Sequence, residues 1–272
     1  MTLPSSDRDR GDGACAQGCA FQLEGVGVDW GLGDQAPALV DVDLTVGTAE
    51  RLALIGPSGA GKSTLLRIMG ATQRLTAGRA VVAGEELAHL SGTAVRALRA
   101  RIGFVHQDHA LVPNLRVSQN VAAGRLGLRG RFAGIRSMLF PSSADLERIH
   151  EILDQLGIAS KLFARTNALS GGEAQRVAVA RALFQEPDAL IADEPVASVD
   201  PARAEDLIKR LLRIAGERSC PLVVSLHDVD LARAHFPRII GLRAGRIVFD
   251  GTPDELGGPA IRELYRLDEG HA

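Results

Sequence analysis

Lysine is scarce in this chain: of 31 Lys and Arg residues only Lys62, Lys161 and Lys209 are lysines, so a lysine inside a motif carries information that an arginine would not. Cysteine is scarce too. Cys15, Cys19 and Cys220 are too few and too unevenly spaced for a disulfide framework, which fits a reducing compartment. Cys15 and Cys19 lack the nearby Cys or His partners that a metal site needs, and they read as part of a flexible arm over residues 1–20. No apolar run approaches the roughly 20 residues that span a bilayer, and the polar, glycine-rich start has no signal-peptide core. The sequence therefore predicts a chain that is neither secreted nor membrane-spanning by itself. An excess of charge is also missing. With 31 basic and 33 acidic residues the net charge is −2, which gives no field for a polyanion and predicts no nucleic-acid partner. What is present is 46% hydrophobic residues in a chain of 272, enough to bury a core as one large domain or two small ones.

One of the three lysines closes the stretch Gly56-Pro57-Ser58-Gly59-Ala60-Gly61-Lys62-Ser63-Thr64, which follows the apolar run Leu52-Ala53-Leu54-Ile55 and opens a helix. Glycines at 56, 59 and 61 let the backbone turn its N–H groups inward as an anion nest. The helix adds its positive dipole end, Lys62 can reach the β- and γ-phosphates, and the Ser63 hydroxyl is placed to ligate Mg²⁺. A ligand-free glycine turn is the plain alternative, and the lysine argues against it.

Before the loop, Phe21-Gln22-Leu23-Glu24-Gly25-Val26 and the stretch 39–46 alternate with period two and predict a strand pair, with Trp30, the only tryptophan, between them. Trp30 is either a core or turn aromatic or a platform on which an adenine ring stacks. After it, residues 78–84 and 102–105 predict further strands, the second ending at His106-Gln107. Residues 108–168 then change texture. Leu146, Ile149, Ile152, Leu153 and Leu156 share one helical face, and the segment predicts a mostly helical insertion in an α/β core. Its arginines Arg125, Arg129, Arg131 and Arg136 lie among glycines and are expected in a solvated loop, with contact to a partner or to lipid head groups as the lesser alternative. Strands return at 189–192, 222–226, 238–242 and 246–249, with a helix from Pro201 carrying Leu207, Ile208, Leu211, Leu212 and Ala215 inward. Residues 253–272 form a short tail.

Two further motifs accompany the loop. Leu169-Ser170-Gly171-Gly172-Glu173 precedes a helix and reads as a capping box, yet its exposed glycines beneath a helix start also make a second anion site. Leu190-Ile191-Ala192-Asp193-Glu194-Pro195 places two carboxylates at the end of a buried strand, where one can hold a metal's water shell and the next polarise an attacking water.

Residues 21–251 resemble the ATP-binding cassette ATPases in the order of their motifs. Residues 56–63 are similar to the family's Walker A loop, Gln107 to its Q-loop glutamine, residues 169–173 to its signature, Asp193 to the Walker B aspartate and Glu194 to the catalytic glutamate. Ser198-Val199-Asp200 resembles the D-loop, His227 the switch histidine and Trp30 the aromatic A-loop residue. The resemblance implies an α/β P-loop NTPase fold of ABC type, with a RecA-like core, an antiparallel β subdomain and an inserted α-helical subdomain within a domain of residues 21–252. It implies ATP and Mg²⁺ as cofactors, with Ser63, Gln107 and Asp193 toward the metal. It further implies a head-to-tail dimer in which the signature of one copy, with Asp200, completes the phosphate loop of the other. Glu194 would be the general base, His227 would hold the γ-phosphate, and Gln107 would link the site to the helical subdomain. Glu173 stands where many members have glutamine, and it is expected to add negative charge near the shared site with modest effect.

Residues 192–201, 223–230 and 245–251, the Gly124-Arg125-Leu126-Gly127 element and Glu263-Leu264-Tyr265 look like the ATPases of phosphonate importers. That likeness implies a peripheral subunit at the cytoplasmic face of the membrane, joined to permease subunits and, through them, to a substrate-binding protein. Cassettes for phosphate, polar amino acids, metals or lipid-linked export are the alternative within the family. A soluble cassette acting on DNA or ribosomes is a third reading; neither a long coiled-coil insertion nor a second cassette is present to support it.

Overall fold

The computed structural model describes residues 19–31, 36–128, 131–197 and 200–266. Most of the arm expected over residues 1–20, Cys15, Arg129, Ser198, Val199 and the last six residues of the tail lie outside them, as does the side chain of Arg131. In chain order the elements are β1 (Cys19–Val28), β2 (Leu39–Gly47), β3 (Arg51–Ile55), α1 (Lys62–Met69), β4 (Ala77–Val82) and β5 (Glu85–Glu86). Next come α2 (Gly92–Ala100), β6 (Ile102–Val105), α3 (Val117–Ala122), α4 (Arg131–Leu139), α5 (Ser143–Gln155) and α6 (Gly171–Phe184). The last are β7 (Ala189–Ala192), α7 (Pro201–Glu217), β8 (Leu222–Ser225), α8 (Val229–His235), β9 (Arg238–Arg243), β10 (Arg246–Gly251) and α9 (Gly258–Tyr265).

Two sheets result. β2, β1, β4 and β5 form an antiparallel sheet in that spatial order; the other sheet runs β10-β9-β3-β8-β7-β6 and is parallel except at β10. The central strands are apolar throughout because both of their faces are covered. Period two then sorts their side chains: Leu52, Leu54, Ile191 and Val223 join the core shared with α1 and the antiparallel sheet, whereas Ala53, Ile55, Leu190 and Val224 join the core built with α6 and α7. A single sheet thus ties both layers together, and its β3, β7 and β8 all end on the side where the phosphate loop begins.

Several expectations are corrected. Cys19 belongs to β1 and not to the arm. Arg125 is not in a solvated loop: its guanidinium donates to the Phe184 carbonyl at 2.8 Å, lies 4.3 Å from the Phe184 ring centre and reaches Glu186 at 2.9 Å, pinning the insertion to the end of α6. The segment carrying Arg136 is helix α4. On α5, Leu146 is only half buried while Ile149, Ile152 and Leu153 are in the core; Leu212 of α7 is likewise half buried, and Ile214 takes the inner position. The chain after residue 252 is packed, since Leu256 and Leu264 are fully buried against the main core.

Candidate nucleotide site

The phosphate loop takes its shape from backbone that only glycine tolerates. Gly56 has φ +148°, and a Cβ there would sit 2.1 Å from the Leu242 carbonyl; at Gly61, φ +102°, it would meet the Ala38 carbonyl at 2.5 Å. The turn between β9 and β10 braces the loop, with the Gly245 N–H donating to Ala60 and the Val40 N–H donating to Gly245. Gly61 caps α1 without a side chain, and the first turn holds no acid, so the positive end of the helix is neither capped nor neutralised. Lys62 is buried and donates from Nζ to the carbonyls of Gly56 at 2.8 Å and Pro57 at 3.1 Å, which leaves one of its three N–H donors for a ligand. Burial pushes its pKa below the ordinary lysine value, opposed by Glu194 and Asp193. Ser58 and Gly59 lie at the exposed outer bend of the loop, Pro57 before them is half-buried, Ala60 is packed beneath, and Thr64 follows Ser63 into α1.

The end of β7 comes up beside the loop. Asp193 Oδ1 accepts from Ser63 at 3.2 Å and from Ser225 at 2.8 Å. The Ser225 hydroxyl in turn accepts the Glu194 N–H at 2.8 Å. Glu194 adopts φ +48°, a left-handed conformation costing on the order of 1–3 kcal/mol, which aims it away from Asp193. Its Oε1 lies 2.5 Å from His227 Nε2, at the residue following β8 and Leu226. Adjacent carboxylates are thereby separated, one toward the phosphate loop and one toward the histidine. Gln107 and Arg67 share with both acids a cavity of about 510 Å³. Trp30 is 46% exposed just past β1, its neighbour Asp29 tied to Thr76 and Gly31. The loop and the acids fit a magnesium nucleotide: the helix start is unneutralised, and Ser63 and Asp193 present hard oxygens side by side.

The second predicted anion site stands apart. No hydrogen bond or ion pair among the described residues joins residues 169–173 to residues 56–64. Ser170 caps α6 and Glu173 returns the bond at 2.9 Å, while a Cβ at Gly171 or Gly172 would meet nothing within 4 Å. The space above this helix start is open. The charge expected of Glu173 is offset, because Lys161 lies 3.0 Å from it; the Ser170 N–H, and then Lys161, hold its carboxyl below the usual range. Asp200 caps α7, accepting from Arg203 N–H at 3.1 Å; the rest of its motif lies outside the described residues.

Two residues were not found by the sequence reading. Ser225 is one, although a lone hydroxyl closing an otherwise apolar strand was a usable signal. Replacing it with Ala leaves the Glu194 N–H without its partner, and is expected to lower unfolding stability by about 1–3 kcal/mol. It should also slow hydrolysis more than it weakens ATP binding; an unchanged urea midpoint together with wild-type turnover would refute that role. Arg181 of α6 is the other. It donates to the carbonyls of His109 at 2.8 Å and Ala110 at 2.5 Å, stapling the loop after Gln107 to the helix that begins at the signature.

A strand, a glycine loop leading into a side-chain-free helix cap, and a strand-end acid pair beside a histidine define a P-loop nucleotide-binding domain. The chain belongs to the ABC transporter family, whose profile matches residues 39–197, and is an ATPase subunit of that family. It is 45% identical over 235 residues to the phosphonates import ATP-binding protein PhnC of Pseudomonas entomophila, covering 86% of this chain and 88% of that one. A second relative, phosphonates import ATP-binding protein PhnC 2 of Pseudomonas aeruginosa, is 46% identical over 243 residues, covering 89% and 90%. Among solved structures, the ATP-binding cassette MJ0796, a dimer in a post-hydrolysis state bound to ADP and Pi, superposes with TM-score 0.77 at 30% identity over 86% of this chain and 98% of that one. CbiO1 of Clostridium perfringens, part of the ABC transporter complex cbiONQ, gives 0.74 at 26% identity over 91% and 94%.

Proposed function

We propose that this chain powers import of a phosphonate or a related phosphorus oxyanion, working as a head-to-tail dimer beneath permease subunits at the cytoplasmic face of the membrane. The carrying observation is the 2.5 Å contact of His227 with Glu194, beside a phosphate loop whose buried lysine has one N–H donor left and whose helix start carries neither a capping side chain nor an acid. ATP bound with Mg²⁺ supplies the reacting phosphoryl group and the charge neutralisation around it. Lys62 and the loop N–H groups would hold the phosphates, and Ser63, Asp193 and Gln107 would hold the metal. Glu194 takes the proton of the attacking water, and His227 steadies that carboxylate and the water's line of approach. Trp30 stacks the base. Ser170, Gly171, Gly172 and Asp200 of a second copy complete the site, which accounts for a second open helix start on a chain with one phosphate loop.

The cargo reading draws support from the names of the two Pseudomonas relatives. No helix among the described residues is long and apolar enough to cross a membrane; the permease subunits supply the path in this reading. Reconstituted with its permease and binding protein, the complex is expected to hydrolyse ATP faster when a phosphonate is added. Stimulation by sugars or peptides but not by phosphonates would overturn the cargo assignment and leave the ATPase assignment standing.

A further inference from the structure

Lys161 ends the short turn Ala159–Lys161 that follows α5, between the buried side chains of Ile158 and Leu162, and its N–H donates to the Ile158 carbonyl. Those anchors hold the lysine in front of the open start of α6, where its Nζ lies 3.0 Å from Glu173 Oε1. The other oxygen of Glu173 belongs to the cap, accepting from the Ser170 N–H at 2.9 Å and the Ser170 hydroxyl at 3.1 Å. The lysine is 37% exposed and the glutamate 27%, so the pair adds little to stability. What it changes is the charge of the helix start. Beside that start lies a hollow of about 250 Å³, and Glu173 is the only carboxylate among the described residues that line it. The two guanidiniums at the hollow are committed elsewhere: Arg176 to Asp206 at 3.1 Å and to the Leu156 carbonyl at 2.7 Å, Arg203 to Asp200 at 3.2 Å. Neither stands in for Lys161.

We infer that Lys161 is a positioning residue for the composite site: by neutralising Glu173 it lets the start of α6 accept the terminal phosphate of ATP bound to a second copy. The inference rests on the head-to-tail dimer proposed above. Without the lysine, a full negative charge would stand at the third residue of α6, opposed only by the helix dipole, and a polyphosphate approaching Ser170, Gly171 and Gly172 would be repelled. The side-chain type suits the task. An ammonium is a point charge that pairs with one oxygen of Glu173 and leaves the other to the cap, whereas a planar guanidinium would compete for both.

The full chain carrying Glu194→Gln, titrated with ATP and Mg²⁺ and followed by sedimentation velocity, gives the ATP concentration at which half of it is dimeric. Adding Lys161→Ala is expected to raise that concentration about tenfold, and Lys161→Glu further, with both shifts larger at low salt. Binding of ADP to the phosphate loop, read by calorimetry, should stay within about twofold of the parent, because the loop belongs to the other end of the site. Glu173→Gln removes the charge and keeps the cap, since an amide oxygen still accepts the Ser170 N–H. In that background Lys161→Ala should move the half-point by less than about twofold. A loss of equal size with Glu173→Gln present, or no loss in the parent, overturns the proposal and leaves the dimer standing. A parent that stays monomeric at every ATP concentration overturns the dimer and this inference with it.

Discussion

Glu194→Gln is expected to cut ATP hydrolysis by about a thousandfold while leaving ATP bound, because an amide keeps the shape of the carboxylate and cannot accept the proton of water. The local geometry argues for a loss confined to chemistry. The Glu194 N–H is held by Ser225, and His227 can still meet the amide oxygen, so the left-handed turn at 194 has no reason to relax. With hydrolysis blocked, the closed dimer should accumulate. Gel filtration with ATP and Mg²⁺ would then move the variant to twice the mass of the nucleotide-free chain. A variant that hydrolyses ATP at the wild-type rate and stays monomeric would remove Glu194 from the role of base, and the head-to-tail arrangement would lose its support.

Lys62→Met separates binding from stability. Phosphates held by the loop lose their one buried cation, a charge-assisted contact whose loss weakens ATP binding by about 10- to 150-fold, and hydrolysis should fall below detection. Titration calorimetry with ATP reads the first effect directly. The fold, by contrast, is relieved of a buried charge, so thermal stability should hold or rise. Burial lowers the pKa of Lys62 from 10.5, so between its folded value and 10.5 the unfolded chain keeps a proton that the folded chain has released. Wild-type stability relative to Lys62→Met is therefore expected to rise as pH is raised through that window, with the gain complete above 10.5. A variant that binds ATP as tightly as wild type would contradict the loop's assignment.

The corrections cluster where local pattern and packing disagree. Arg125 reads as one of four arginines among glycines, and only the approach of α6 to the insertion shows it bound to a carbonyl, a ring and two acids. Glu173 reads as an added negative charge, and Lys161, twelve residues earlier, offsets it through the fold. Ser225 and Arg181 carry no motif of their own. Both act on residues far away in the chain, Ser225 on Asp193 and Glu194, Arg181 on the loop after Gln107. Contacts of this kind depend on which strands lie side by side, and no periodicity encodes that.

By itself the sequence determined the phosphate loop, the central strands and the order of the motifs, because glycines that need left-handed backbone, a helix start without a capping side chain and strands apolar on both faces are local requirements written residue by residue. The tertiary structure alone decided where the acids point. β7 lies between β6 and β8, so Ser225 reaches Asp193 from the neighbouring strand, and a left-handed turn at Glu194 sends the next carboxylate to His227. It also decided that α4 turns its phenylalanine outward, since the small residues Gly134 and Ser137 occupy the side that packs. Both outcomes follow from the same cause: burial is settled by what an element meets, and what it meets comes from distant parts of the chain.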